Sequence, residues 1–462
     1  MQLSRNWLAQ YVKLPDVSAK EMGLAITTAT VEIEEVLDQA VDLSGIVVGR
    51  VVDVVKHPKA DRLWICRVDI KTEELQVICG GINVTKGMLV ALAKVGSKVK
   101  WHGKGEPITL EKAKIRGADS NGMIASSVEL GLERLLPAAE EREIIDLTPY
   151  QVRVGDPLSK ALGLDDTIFV IDNKSMTHRP DLWAQYGLAR EVAAIYNTKL
   201  KPLKIGSVPA AKGETKKLTV EVRDTALCPR YAAVVLDNVT VGPSPWWLKR
   251  ELNAMGINSI NSVVDVTNYV MATLGQPMHA FDYTALADQK IIVEKNGAPA
   301  SLTVLNGKGY TVPAETLMIK DGKKSVAIAG IMGALNSHVT QATKTIVLEA
   351  ANFSAVSVRR SSMALGLRTD ASARFEKRID PALVSKALAY AVELLVKLDP
   401  RITVASQVVD VNHASGATTT VSVDKKFLDA RLGKALDPKE VVAILKRLEF
   451  GARFKKNIYT IT

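Results

Sequence analysis

The sequence predicts an α+β multidomain protein in which a small β-barrel interrupts a helical domain and is followed by a larger mixed unit and a short terminal one. Three observations predict it. Between Ile46 and Val95 apolar residues recur with period two in short runs separated by turn residues, the pattern of half-buried strands closing on one another. Helical patterns stand on both sides of that stretch, so the barrel, residues 40–150, reads as an insertion into a discontinuous helical domain, residues 1–39 plus 151–201. Beyond residue 217, helix signals alternate with Asn-Gly and Asp-Gly turns, giving a mixed unit over residues 218–400 and a small last unit over residues 408–462.

Size and composition agree with packed domains. A chain of 462 residues holds roughly three domains on a prior of about 100–200 residues each. Its 47% hydrophobic content argues against long disorder. Sixty Lys and Arg against fifty Asp and Glu leave a charge of +10, which favours a polyanionic partner. Cys66, Cys79 and Cys228 lack CxxC spacing and cannot all pair, so reduced core cysteines of a cytoplasmic protein are expected and a metal site is not. The N-terminus has no long apolar signal region, and no apolar run approaches the ~20 residues of a membrane span, so no membrane partner is expected.

The elements follow in order. A short helix is expected around Ser4–Tyr11, then a break at Pro15, then a helix over Ser18–Thr28 with the capping-box pair Ser18 and Glu21. Strands are expected from Gly45 to Val55, Leu63 to Ile70, Leu75 to Cys79 and Met88 to Val95. The region from Lys94 to Arg116 carries Lys94, Lys98, Lys100, Lys104, Lys112, Lys114 and Arg116 around Trp101 and His102. Cations interleaved with aromatics suit a phosphate backbone and its bases, though they also suit a plain solvated face. Val154–Ala161 and Asp181–Asn197 are helical in pattern, with His178–Asp181 a capping loop in which Arg179 meets a carboxylate. Pro202–Lys217, with Gly206 and Gly213, is the expected linker.

In the large unit, Leu218–Val222 and Tyr231–Leu236 read as strands, and Ser244, Pro245 and Gly256 bracket a helix. Val263–Asp282 opens apolar, carries Asp265, Thr267 and Asn268, and ends in Gly275-Gln276-Pro277-Met278-His279-Ala280-Phe281-Asp282. Gly275 and Pro277 are expected to hold His279 on a constrained turn. Taken alone, His279 could be a core histidine satisfied by Asp282. Asn306-Gly307 and Asp321-Gly322 mark hairpins, and Ala329–Gly333 lets backbone approach something closely. Glu349 on the apolar strand Thr345–Ala350 requires a partner, for which Arg359 or Arg360 is the plain structural choice. A helix from Asp380 to Leu398, a strand Thr418–Val423, a helix Asp424–Leu432, a helix from Asp437 to Leu448 and a hairpin over Phe450–Thr462 complete the chain.

Two sets of motifs carry resemblances. His57-Pro58-Lys59-Ala60-Asp61-Arg62-Leu63, Val77–Gly81 and Lys114–Met123 resemble the tRNA-binding OB module; that family commonly has Glu before the last Gly-Met pair, where this chain has Asn121. Val263–Asp282, Ala329–Gly333, Val347–Ala350 and Arg368–Ser372, in this order behind such a module, resemble the β subunits of bacterial phenylalanyl-tRNA synthetases along the whole chain. The resemblance implies an OB-fold barrel inserted in a helical domain, then a B3/B4 editing domain, then a B5 domain in which the chain stops, as a truncated or reduced form would.

The implied function is hydrolysis of tyrosine wrongly esterified to tRNA(Phe). Carried over, the catalytic set is His279, Asn268, Glu349 and Thr369, and the editing pocket adds Thr267, Pro277, Ala329, Gly330 and Ala371. Glu349 is the expected reader of the tyrosine hydroxyl, while His279, Asn268 and backbone N–H groups around Gly330 serve the water and the carbonyl. Lys112, Lys114, Arg116, Ser120 and Met123 are the expected tRNA contacts. The family further implies an α subunit, assembled as a heterotetramer, that attaches phenylalanine with ATP and Mg; this chain is expected to bind no cofactor itself. The contrasting reading is an inactive tRNA-binding scaffold.

Overall fold

The computed structural model describes residues 1–172, 174, 176–211, 215–416 and 418–462. The chain divides into two compact units. One comprises Gln2–Arg5 and Glu35–Phe169; the other comprises Met1, Asn6–Glu34 and Val170–Thr462.

In the first unit, strands Ile46–Lys56, Trp64–Asp69, Glu74–Cys79, Leu89–Ala93 and Met123–Ile124 form an antiparallel sheet with Met123–Ile124 at one edge and Glu74–Cys79 at the other. The two edges curl toward each other, and the Asn121 N–H donates to the Gln76 carbonyl at 2.9 Å, so the barrel is nearly closed. Its alternating apolar residues, among them Val51, Val68, Val77, Val90 and Leu92, fill one core. Cys66 and Cys79 join that core, and with Cys228 all three cysteines are buried and free.

The segments expected to form one helical domain contribute residues to both units. Ala19–Ala29 and Gln185–Ile195 belong to the second unit, whereas Leu158–Leu162 belongs with the barrel. Gln2–Ser4, Ile33–Asp38 and Thr167–Ile171 are strands that the helical reading did not contain. Aromatic packing explains the division. Trp7 of helix Arg5–Tyr11 stacks on Tyr269 at 4.9 Å, and Tyr11 meets Tyr186 edge-on at 5.3 Å, which ties the early helices to the large unit. Ser18 caps Ala19–Ala29 with the full capping box. Arg179 pairs with Asp181 at 2.8 Å and Glu191 at 2.6 Å, the structural role expected of that loop. Of the expected linker, Pro202–Ala211 has neither helix nor strand, and Gly213 lies outside the described residues.

The large unit is built on two sheets. In the first, Met278–Asp282, Ile346–Asn352 and Arg230–Asp237 run antiparallel in that order, and both Thr403–Val404 and Val409–Asn412 pair with Arg230–Asp237. Val409–Asn412, read from sequence as the start of the last unit, is therefore part of this sheet. Helices Ser262–Leu274 and Leu383–Leu398 cover one face, and the buried positions Val384, Ala387, Leu388, Ala391, Val392 and Leu395 of the latter repeat at helical spacing. In the second sheet the order is Thr219–Val222, Lys290–Lys295, Leu317–Lys320, Ser325–Ile328, Met332–Gly333. The apolar residues of both sheets share one core. The hairpins at Asn306-Gly307 and Asp321-Gly322 stand where the turn residues put them. Helix Trp246–Ala254 is capped by Pro245 and not Ser244, because the Ser244 hydroxyl bonds the buried Asp265 carboxylate instead. The last strands, Val421–Asp424, Ala452–Lys455 and Ile458–Ile461, make a small sheet beside helices Lys425–Leu432 and Pro438–Arg447. Among the described residues no helix is long and apolar enough to cross a membrane.

Candidate functional site

The stretch Val263–Asp282 splits into two elements. Asn261 caps helix Ser262–Leu274 by accepting from the N–H groups of Val263 and Val264, and Gly275 ends it at φ +81°. The chain then enters strand Met278–Asp282, so His279 is held by a sheet ladder and not by a turn. Its register neighbour is Glu349, directly opposite on the central strand Ile346–Asn352, and beyond Glu349 stands Ala233. Residues opposite one another in an antiparallel pair point to the same face, here the face toward the second sheet.

Between the sheets lies a cavity of about 400 Å³, including its open mouth. His279 and Glu349 form one wall. Ile319, Ala327, Ile328, Met332 and Gly333 of the second sheet face them, and Gly330, Phe353, Ala371 and Phe375 close the rest. The walls are thus mostly apolar with two convergent polar groups, the usual make-up of a small-ligand site.

Both polar groups are electrostatically unusual. Glu349 is 5% exposed, and the Tyr231 hydroxyl donates to its Oε2 at 2.8 Å. Burial pushes the Glu349 carboxyl up to about 7, while the Tyr231 hydrogen bond works the other way by favouring the charged form. The expected arginine partners are elsewhere: Arg359 and Arg360 are exposed on helix Ala355–Leu365. Burial holds the His279 imidazole down at about 4, so the ring is neutral at physiological pH. Its Nε2 is buried and no donor or acceptor among the described residues reaches it. Asp282, the plain structural partner proposed for His279, instead accepts from Thr284 at 2.6 Å and Thr343 at 2.6 Å.

Glycines set the shape. A Cβ on Gly333 would stand 2.5 Å from His279 Cε1 and 2.7 Å from Nε2, so that edge of the ring packs against bare backbone. Gly330 has φ +69°, and a Cβ there would meet Val358 and Phe353 at 2.9–3.0 Å. The N–H groups of Ala329 and Ile331 are committed to the carbonyls of Leu317 and Ile328 at 3.1 and 3.0 Å, so they are not oxyanion donors.

The structure gathers part of the expected set. His279, Glu349, Pro277, Gly330 and Ala371 line the cavity. Ala329 is buried behind it in the core. Thr369 caps helix Asp370–Phe375, accepting from the Ser372 N–H and donating to the Ile331 carbonyl at 2.9 Å, so its hydroxyl fixes the glycine loop against that helix. Thr267 and Asn268 sit on helix Ser262–Leu274, about two turns before Gly275, outside the lining side chains. Thr267 returns its hydroxyl to the Val264 carbonyl. Tyr231, Gly333, Met332, Phe353 and Phe375 were not among the site residues expected from sequence. Strand register and packing bring the last four to the cavity wall and Tyr231 against Glu349, and neither is written in local pattern.

The barrel presents a second site. Ala113–Ile115 and Ala118–Ser120 form a hairpin whose Lys112, Lys114 and Arg116 are exposed. Residues of the barrel motifs pin it. His57 is buried with Nε2 3.3 Å from the Ile115 carbonyl, and Gln76 Nε2 donates to the Asp119 carbonyl at 2.9 Å. Ser120, expected to touch tRNA, is 3% exposed. Its hydroxyl accepts from the Ile78 N–H at 3.0 Å and donates to the Gly122 carbonyl at 3.0 Å, so it holds the barrel seam. Met123 is half-buried opposite Ala93. Trp101 and His102 are exposed and in edge-on contact at 5.1 Å.

A family model described as a putative tRNA binding domain matches residues 46–156, and one described as a B3/4 domain matches residues 227–400. Proteins named phenylalanine–tRNA ligase beta subunit from Geobacter sulfurreducens, Shouchella clausii and Halalkalibacterium halodurans are 39%, 38% and 37% identical to the chain. The matches cover 97%, 97% and 100% of this chain, and 54%, 55% and 56% of those proteins, so the chain spans just over half their length.

Proposed function

We propose, from the 37–39% identity to proteins named phenylalanine–tRNA ligase beta subunit over 97–100% of this chain and from the matches to the putative tRNA binding and B3/4 domain models, that the chain binds tRNA through the barrel and hydrolyses tyrosine wrongly esterified to tRNA(Phe) in the two-sheet cavity. On this reading it acts in the cytoplasm beside an α subunit, which attaches phenylalanine with ATP and Mg in a heterotetramer. Among the described residues no group of three or more His, Cys, Asp or Glu is placed to hold a metal, and every step assigned to this chain uses its own side chains.

One observation carries the reading: a buried carboxylate, Glu349, directly across the strand ladder from the neutral, half-buried imidazole of His279, whose Nε2 is itself buried, inside an apolar cavity. Tyrosine and phenylalanine differ by one hydroxyl. A site that pairs with that hydroxyl discriminates by roughly 10⁴ or more, because phenylalanine leaves the buried partner unsatisfied. Glu349 is that partner, and the phenyl walls of Phe353 and Phe375 take the ring. His279, neutral and with no partner to its Nε2 among the described residues, accepts a proton from water or orients it toward the ester carbonyl.

The test is deacylation of Tyr-tRNA(Phe) by the wild type, His279→Ala and Glu349→Ala. Release of tyrosine well above the buffer rate, with losses of about 10²-fold or more in both variants, is expected. A wild type no faster than buffer leaves the scaffold reading in possession.

A further inference from the structure

We propose that Tyr231 is the positioning residue for the cavity carboxylate: its hydroxyl occupies Glu349 Oε2, so that only Oε1 is presented to a phenolic ligand. This rests on the reading of the cavity as a tyrosyl-ester site. The motifs that carry the family resemblance do not contain Tyr231.

The geometry is specific. Tyr231 stands opposite Ala351 and Glu349 stands opposite Ala233, so Tyr231 and Glu349 are diagonal neighbours on the same face of the sheet. Diagonal neighbours are within reach of a long aromatic side chain, and the small Ala233 between them leaves the ring room to lean across. Tyr231 is fully buried, and its hydroxyl is 2.8 Å from Glu349 Oε2. Among the described residues it is the one donor to that carboxylate. A carboxylate free to rotate in an apolar cavity would offer either oxygen, along with water, to a ligand. Fixing one oxygen through a buried phenol leaves a single acceptor of defined direction, which discrimination by one hydroxyl requires. The remaining titratable groups facing Glu349 are His279 across the ladder and Cys228, buried two residues before Arg230.

The decisive variant is Tyr231→Phe, which removes one oxygen and keeps the ring. Expected is a roughly 10- to 10²-fold fall in kcat/KM for Tyr-tRNA(Phe), the size of a lost hydrogen bond to a charged group. Residual hydrolysis of Phe-tRNA(Phe) should change little, so the ratio between the two substrates collapses, whereas a residue that merely supported the fold would lower both together. In a Glu349→Gln background Tyr231→Phe should have a much smaller effect, because the residue acts through the carboxylate. The Glu349 side-chain carboxyl, followed by carbon NMR, should titrate at higher pH in Tyr231→Phe than in the wild type.

Equal losses on both substrates, full additivity with Glu349→Gln, or an unmoved titration each overturn the proposal. If the wild type deacylates nothing, the hydrolytic reading fails by itself. The NMR titration then decides the positioning role: a raised midpoint upholds it and an unmoved one removes it.

Discussion

The barrel and the two-sheet cavity use polar residues in opposite ways. In the barrel the charges face solvent, as Lys112, Lys114 and Arg116 do, and the buried polar groups beneath them, His57 and Ser120, have hydrogen-bond partners. In the cavity Glu349 is buried with one donor, and the buried Nε2 of the half-buried His279 has no partner among the described residues. Exposed charges cost the fold little and are worth little to it, whereas buried ionisable groups are held at a real cost. The cavity should therefore trade stability for function, and the barrel surface should not.

The largest expected sign of that trade is a pH dependence. The folded Glu349 carboxyl titrates at about 7, above its ordinary 4.5, so its contribution to stability is whole below about pH 4.5 and is lost as pH rises through 7. Glu349→Gln does not titrate and keeps an acceptor for Tyr231. Denaturant unfolding of both proteins should show the variant gaining on the wild type by up to about 3 kcal/mol between pH 4.5 and 8. His279 has the opposite sign: held at about 4, its contribution is present above about 6.5 and fades as pH falls toward 4. Because it is common to both proteins it cancels in their difference. A flat difference would mean that Glu349 is not held in a costly site.

Next in size is Gly333→Ala. The added methyl would stand 2.5 Å from His279 Cε1, so the ring must move by several tenths of an ångström or more. On the proposed reading, deacylation of Tyr-tRNA(Phe) should fall by about 10²-fold, the scale set by a small misplacement of a reacting group. Unchanged turnover would detach His279 from the chemistry.

The same contrast explains what could be read from sequence. The capping box at Ser18, the hairpins at Asn306-Gly307 and Asp321-Gly322 and the terminal helices were legible because local chemistry dictates them. The cations of the barrel were legible for the same reason. The Glu349–Tyr231 bond was not, since it depends on the register of strands 118 residues apart, and the sequence suggested Arg359 or Arg360 instead. His279 was expected on a turn because Gly275 and Pro277 precede it; the strand pairing that follows governs its position. Thr369 and Ser120 were legible as special positions, but the resemblance could not show that their hydroxyls serve a helix cap and a barrel seam.

Ser120→Ala tests the supporting layer of the barrel. It leaves the buried Ile78 N–H without its acceptor, so a loss of about 1–2 kcal/mol on unfolding is expected, with tRNA affinity falling only as far as the hairpin loosens. An affinity loss with no change in stability would return Ser120 to the role of a direct contact.

The smallest effect on the fold should come from the surface itself. Lys112→Ala, Lys114→Ala and Arg116→Ala together remove three exposed cations, none of them in a salt bridge among the described residues, so stability should stay within about 0.5 kcal/mol of the wild type. Binding is another matter. If the three side chains meet phosphates, each releases counterions, and the slope of log affinity against log salt should become shallower by roughly two to three. Filter binding of tRNA across a salt series measures this. An unaltered slope would move the tRNA contact to another face, where exposed Trp101 and its neighbouring lysines are the next to replace.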